Sequence, residues 1–190
     1  MSGAVAGEDG RLRCPWAVSA ADYVGYHDDE WGRPVADDDA MFERLSLEAF
    51  QSGLSWLVIL RKRPAFRSAF DGFRIESVAR FTQRDVDRLL SDAGIVRNRA
   101  KIEAAIANAR AAVELPDGLH AHLSSFAPTG RARAPRTTSD VPSTSPESVA
   151  MAKDLKRRGF RFVGPTTAYA LMQATGLVDD HLADCWRRAD

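Results

Sequence analysis

Cysteine is scarce in this chain of 190 residues: there are two, which excludes a disulfide framework as its source of stability. Long apolar runs are missing as well. No segment reads as a membrane span, and the polar start MSGAVAGEDGRLR has no signal-peptide core. No alternation of apolar and polar residues persists far enough to demand a sheet, and no internal repeat is visible. Net charge is zero, so global electrostatics name no partner. With 45% hydrophobic residues the chain can still bury a sizeable core. The expectation is an all-α, cytoplasmic, monomeric protein: a flexible leader over 1–10, then a single helical domain over 11–190.

What is present is unevenly distributed. Residues 1–50 hold 4 basic and 11 acidic side chains, and residues 51–190 hold 22 basic and 15 acidic ones. A basic face from the later segments is therefore available to an anionic partner.

Helical periodicity begins at residue 37. DDDAMFERLSLEAFQSG sets Met41, Phe42, Leu45, Ala49 and Phe50 at spacings of three and four, behind capping side chains at Asp37 to Asp39. LSWLVILRKR is short and apolar, the pattern of a buried helix. TQRDVDRLLSDAG starts at an N-cap, Thr82, with Asp85 three residues on, and stops at Gly94. RNRAKIEAAIANARAAVEL carries a stripe of Ile102, Ile106, Ala109 and Val113. His120 and His122 fall in a loop-like stretch, where solvation is expected. Residues 127–147, rich in Pro, Ser, Thr and Arg, read as a loop that ends in the helix start Ser145-Pro146.

The segment KDLKRRGFRFVGPTTAYALMQATG, within about 147–176, reads as helix, short turn, helix. Gly159 and Gly164 permit close backbone approach and positive φ, and Pro165 opens the second helix. Lys156, Arg157, Arg158 and Arg161 surround unpaired amides at that helix start, a combination that suits a phosphate oxygen. On pattern alone, the segment reads first as an ordinary αα-hairpin with solvated basic residues, with phosphate binding as the other reading. Cys14, His27, His181 and Cys185 form a possible Cys2His2 metal set, with His181 and Cys185 at i and i+4. Two unrelated pairs of core residues remain the other reading.

The motifs CPWA, YHDDEWG, LSLEAFQSGLSW, DAGIVRNRAKIEAAIANARA, KRRGFRFVGPTTAYALMQATGLVDDH and HLADC, in that order, resemble the DNA-3-methyladenine glycosylase I family. The resemblance runs from about Cys14 to Cys185. It implies a helix-hairpin-helix DNA glycosylase fold whose termini are joined by one structural zinc on Cys14, His27, His181 and Cys185. It further implies double-stranded alkylated DNA as substrate and monofunctional hydrolysis of the N-glycosidic bond of N3-methyladenine.

Carried over by position, the resemblance makes Glu48 and Trp56, then Tyr26, Tyr23 and Trp16, the base pocket. Glu48 is the candidate catalytic group. Leu54, beside Gly53, becomes the wedge that fills the gap left by a flipped nucleotide. Gly159, Gly164, Arg158 and Arg161 become backbone contacts. Asp179 and Asp180, near the point where related hairpin glycosylases place a catalytic aspartate, are set aside as non-catalytic because they adjoin a zinc ligand.

Overall fold

The structure, a computed structural model, describes residues 3–130 and 133–188. Among the described residues it is mostly helical. A two-strand hairpin, β1 (Val5–Ala6) and β2 (Leu12–Arg13), is followed by a 3-10 turn at Pro15–Val18. The helices are α1 (Ala21–Asp29), α2 (Asp38–Gln51), α3 (Trp56–Ala69), α4 (Ile75–Ala79), α5 (Gln83–Ser91), α6 (Arg99–Val113), α7 (Gly118–Ser124), α8 (Pro146–Arg157) and α9 (Pro165–Ala174).

The centre of the fold is α2. It packs against α3, α4, α6, α7 and α9, and every residue from Met41 to Phe50 is buried. Phe42 and Phe50 meet a phenylalanine cluster from α3 and the turn after it; Phe50 lies 4.7 Å from Phe66, and Phe70 stacks on Phe73 at 5.3 Å. The aspartates at the start of α2 cap three helices rather than one. Asp37 accepts from Ala40 N at 2.8 Å, within α2 itself. Asp38 accepts from His120 N at 2.7 Å, in the first turn of α7, and Asp39 from Ile75 N at 2.8 Å, the first residue of α4. Each carboxylate satisfies an amide that its helix leaves unpaired.

Several expectations are corrected. The α2 pattern reads as one apolar stripe, yet Glu43, Arg44, Ser46 and Glu48 on its other faces are buried too, because neighbours surround it. Conversely, α3 buries only Ile59, Arg63, Phe66 and Ala69; it is amphipathic, and its first turn is partly open. Val113 is 43% exposed where α6 runs past its neighbours, and Ala105 and Ala112 are buried instead. The capping box of Thr82 and Asp85 forms, but α5 ends at Ser91, short of Gly94. His120 and His122 lie in α7, and His122 Nε2 sits 2.8 Å from Asp154 Oδ2.

The leader is tied down from residue 5. Arg13 bridges Asp9 at 2.6 Å and Asp28 at 2.7 Å, fixing the hairpin to α1. Residues 1 and 2 of the expected leader, and residues 131 and 132 of the expected loop over 127–147, lie outside the described residues. Elsewhere in that loop a 3-10 turn forms at Thr138–Asp140, and α8 starts at Pro146 behind its cap Ser145.

Gly176 closes α9 with φ +72°, and a Cβ there would lie 2.7 Å from the Gly32 carbonyl oxygen. Gly32 in turn leaves room for His181: a Cβ on it would lie 3.0 Å from Nε2. Gly176→Ala should therefore lower stability by well over about 1 kcal/mol. Gly10→Ala, also at positive φ but in open space, should lose only about 1 kcal/mol. Thermal melts of the two variants check the difference.

Candidate active site and its surroundings

The 3-10 turn at Pro15–Val18, α1, the last turn of α2, the start of α3 and α9 with the segment after it enclose a cavity of about 360 Å³, within the range of small-molecule sites. Trp16, Tyr23, Tyr26, Glu48 and Trp56, the five residues expected at a pocket, all line it. Their positions follow from local structure. Tyr23 and Tyr26 lie three apart on α1 and so share a face, Glu48 lies in the last turn of α2, and Trp56 opens α3. Trp16 meets Tyr23 edge to face at 5.6 Å, and Tyr26 leans on Trp56 at 5.4 Å. Trp31, Gln51 and Asp180 also line the cavity, and sequence pattern gave no signal for the first two. Trp31 stands edge-on to Trp16 at 5.1 Å.

Glu48 is 6% exposed and lies among these rings. Burial pushes its carboxyl up to about 8, opposed by the positive charge of Arg44 one helical turn away. Arg44 itself gives Nη2 to Glu30 at 2.7 Å, while its buried Nη1 has no hydrogen-bond partner. Burial, then the charge of Glu48, raises the Tyr26 hydroxyl. Asp180 faces the cavity from the opposite side. Its Oδ2 accepts from Tyr169 Oη at 2.7 Å and from Gln173 Nε2 at 2.9 Å, so α9 fixes its orientation. Asp179 instead accepts from His181 N at 3.1 Å.

Cys14, His27, His181 and Cys185 come together beneath the aromatic wall, all buried, with their ligand atoms within 4.8 Å of one another. Cys14 Sγ lies 3.9 Å and Cys185 Sγ 3.7 Å from His181 Nδ1; Cys185 Sγ lies 3.4 Å from His27 Nε2. A tetrahedral ion bound at about 2.0–2.3 Å has ligand–ligand edges of roughly 3.3–3.8 Å, so this donor set fits a metal ion. Asp28 Oδ1 lies 2.8 Å from His27 Nδ1, which leaves Nε2 facing the cluster. The Cys185 thiol is held low by its hydrogen bonds with Cys14, then His181 and His27, while Cys14 is raised.

Two exposed turns flank α6. The first carries Gly53 at φ +79° and Leu54, which is 41% exposed and hence not a core leucine. Lys101, from α6, donates its buried ammonium to the carbonyls of Phe50 and Ser52, capping α2 at that turn. The second turn joins α8 to α9. Gly159 has φ +92°, as expected, but Gly164 has φ −85° and serves as the N-cap of α9. The second left-handed residue of the turn is Phe162, φ +55°. Asn108, also from α6, grips Arg161 through both of its backbone groups: Arg161 N donates to Oδ1 at 2.7 Å, and Nδ2 donates to Arg161 O at 3.0 Å. Arg158 and Arg161 are exposed, and Arg158 Nε reaches back to Asp154 at 2.8 Å. Lys101 and Asn108 were missed in the sequence because a polar residue within a helix pattern ordinarily faces water.

The Glu48 carboxyl, at about 8 when folded against 4.5 as its ordinary value, binds its proton more tightly in the folded chain. Its burial therefore lowers stability progressively as pH rises from about 4.5 to about 8, by a few kcal/mol in full. Glu48→Gln should melt within about 2 °C of the parent at pH 5 and roughly 5–10 °C above it at pH 8.5, as read by thermal melts at both pH values.

The surrounding similarities are extensive. A family model described as methyladenine glycosylase matches residues 16–188. The chain is 41% identical over 178 residues to the DNA-3-methyladenine glycosylase of Haemophilus influenzae, covering 91% of this chain and 96% of that protein. It is 42% identical over 177 residues to DNA-3-methyladenine glycosylase 1 of Escherichia coli, covering 91% and 95%. Its fold matches a crystal structure of 3-methyladenine DNA glycosylase I with TM-score 0.89 at 40% identity, covering 93% of this chain and 100% of that one. A structure of the Staphylococcus aureus enzyme, on its recognition of 3-methyladenine, matches with TM-score 0.88 at 35% identity, covering 94% and 97%. The chain belongs to the methyladenine glycosylase family.

Proposed function

We propose that this chain, a hydrolytic DNA N-glycosylase by family, excises N3-methyladenine from alkylated duplex DNA, acting as a monomer. The observation that carries the reading is a buried acid, Glu48, walled by Trp16, Tyr23, Tyr26 and Trp56. N3-methyladenine in DNA is a cation, and adenine is neutral. A carboxylate in a low-dielectric cage favours the cation, and the aromatic faces add a cation–π attraction of about 0.5–2 kcal/mol. Selection is by charge.

The base reaches the cage by flipping out of the duplex, with Leu54 filling the gap it leaves. Helices α8 and α9 act as a helix-hairpin-helix: the first-turn amides of α9, with Arg158 and Arg161, grip the strand backbone without reading sequence. Cleavage of the bond from C1′ to the base sends its electron pair into the ring, so the cation departs neutral without needing a general acid. Water adds to the sugar cation at C1′ and releases a proton. Among the described residues lining the cavity none is lysine, which suits monofunctional hydrolysis to an abasic site. Cys14, His27, His181 and Cys185 hold one structural zinc; four protein ligands leave no open position, and its chemistry is to fasten the ends of the fold.

Methylated duplex incubated with the protein should release 3-methyladenine on chromatography, and Glu48→Gln should lower the rate roughly 10- to 100-fold while folding normally. No release by folded, metal-loaded protein overturns the reading and leaves a DNA-binding module. Because the empty-site carboxyl titrates near 8, kcat/KM for the cationic base should rise with pH and level off above about 8. The metal assignment predicts about one zinc per chain by elemental analysis. Cys185→Ser should lose that zinc and melt well below the parent.

A further inference from the structure

Phe162 breaks two rules at once. It holds φ +55°, a conformation that costs a bulky L-residue about 1–2 kcal/mol, and it leaves its side chain 42% exposed. Neither property stabilises the fold. Glycine would satisfy the backbone without strain, and a polar residue would satisfy the solvent. The neighbours behave differently: Phe160 and Val163, on either side, are buried and anchor the turn. The strain is imposed from outside the turn, because Asn108 fixes both backbone groups of the preceding residue, Arg161. A strained residue held in place by a dedicated buried clamp, with a ring that has no aromatic or cationic partner among the described residues, marks a contact made with something else.

We infer that the Phe162 ring is a DNA contact in its own right, packing on the apolar face of a deoxyribose between two phosphates of the strand held by the α8–α9 hairpin. This inference rests on the proposal that the hairpin grips DNA. The surroundings fit that occupant. Exposed Lys156, Arg157, Arg158 and Arg161 and the first-turn amides of α9 lie within a few residues of the ring. Such a setting suits an alternating anionic and apolar polymer, which a nucleic-acid backbone is, better than an uncharged protein groove. An apolar anchor among the charges also resists salt, so it retains the strand when ionic contacts are screened.

The test is fluorescence anisotropy with a duplex bearing an abasic-site analogue, titrated at several salt concentrations, for the parent, Phe162→Gly, Phe162→Asn and Arg161→Ala. Thermal melts and binding of free 3-methyladenine accompany each variant. Phe162→Gly should raise the duplex Kd roughly tenfold, the scale of one exposed aromatic ring, with an unchanged slope of log Kd against log salt. Its melting temperature should equal or exceed the parent's because the left-handed strain is relieved, and free-base binding should be unaltered. Phe162→Asn, which tolerates the same φ, should weaken duplex binding likewise. Arg161→Ala should instead reduce the salt slope by about one. If both Phe162 variants bind the duplex as the parent does, or weaken only in step with a lower melting temperature, the inference is overturned while the hairpin reading stands. If the parent binds no duplex, or Arg161→Ala leaves affinity and slope untouched, the hairpin reading itself falls.

Discussion

Burial of α2 on every side is the constraint on which the rest of the molecule depends. A helix enclosed from Met41 to Phe50 gives its polar residues no water, so each needs another arrangement. Glu43 takes Arg63 at 2.5 Å and Arg67 at 2.9 Å, and Glu30 takes Arg63 and Arg44. Such pairs mainly offset the desolvation of their own charges rather than adding stability. Of the two acids within the buried stretch Met41 to Phe50, Glu43 is ion-paired and Glu48 has no ion pair among the described residues. Glu48 is left at the cavity wall, where burial raises its carboxyl.

The same geometry joins the cavity to the Cys/His cluster. His27 lies in α1 one residue after Tyr26, and the two side chains point to the cluster and to the cavity. Trp31 stacks on His27 at 6.2 Å and stands edge-on to His181 at 4.6 Å, while Trp16 meets His27 at 5.3 Å. The cluster is thus the floor on which the aromatic wall is set. Backbone bonds reinforce the C-terminal segment: Trp186 N donates to Leu12 O at 2.9 Å, joining the two ends, and Ala183 N to Pro135 O at 2.7 Å, in the loop before α8.

Helix α6 organises the outer surface in a comparable way. Lys101 and Asn108 are seven residues apart and therefore on one face, and each fastens a different exposed turn by its backbone. One turn carries Leu54 and the other carries Arg161 and Phe162. A single rigid helix consequently sets the separation of the two surface elements, and both are positioned by buried polar groups whose hydrogen bonds leave little freedom.

Local features were determined by the sequence itself. Helix starts at Asp37, Thr82, Ser145 and Pro165 rest on capping chemistry that acts over three or four residues, and all four appear. The Cys and His pairs and the spaced motifs that resemble the glycosylase family were also legible, because residue identity and order carry them. The pattern of the chain could not say that α2 is buried throughout while α3 is half open, since burial depends on which helices arrive from elsewhere. Nor could it show that Asp38 and Asp39 cap α7 and α4, or that Lys101 and Asn108 are buried clamps: their partners lie 36 to 82 residues away. Gly164, expected at positive φ, is extended, and Phe162 takes the left-handed conformation in its place because the clamp from α6 decides where the turn bends. Propensity and chemistry are local and reside in the sequence; burial, electrostatic environment and backbone strain are set by long-range packing, and only the tertiary structure fixes them.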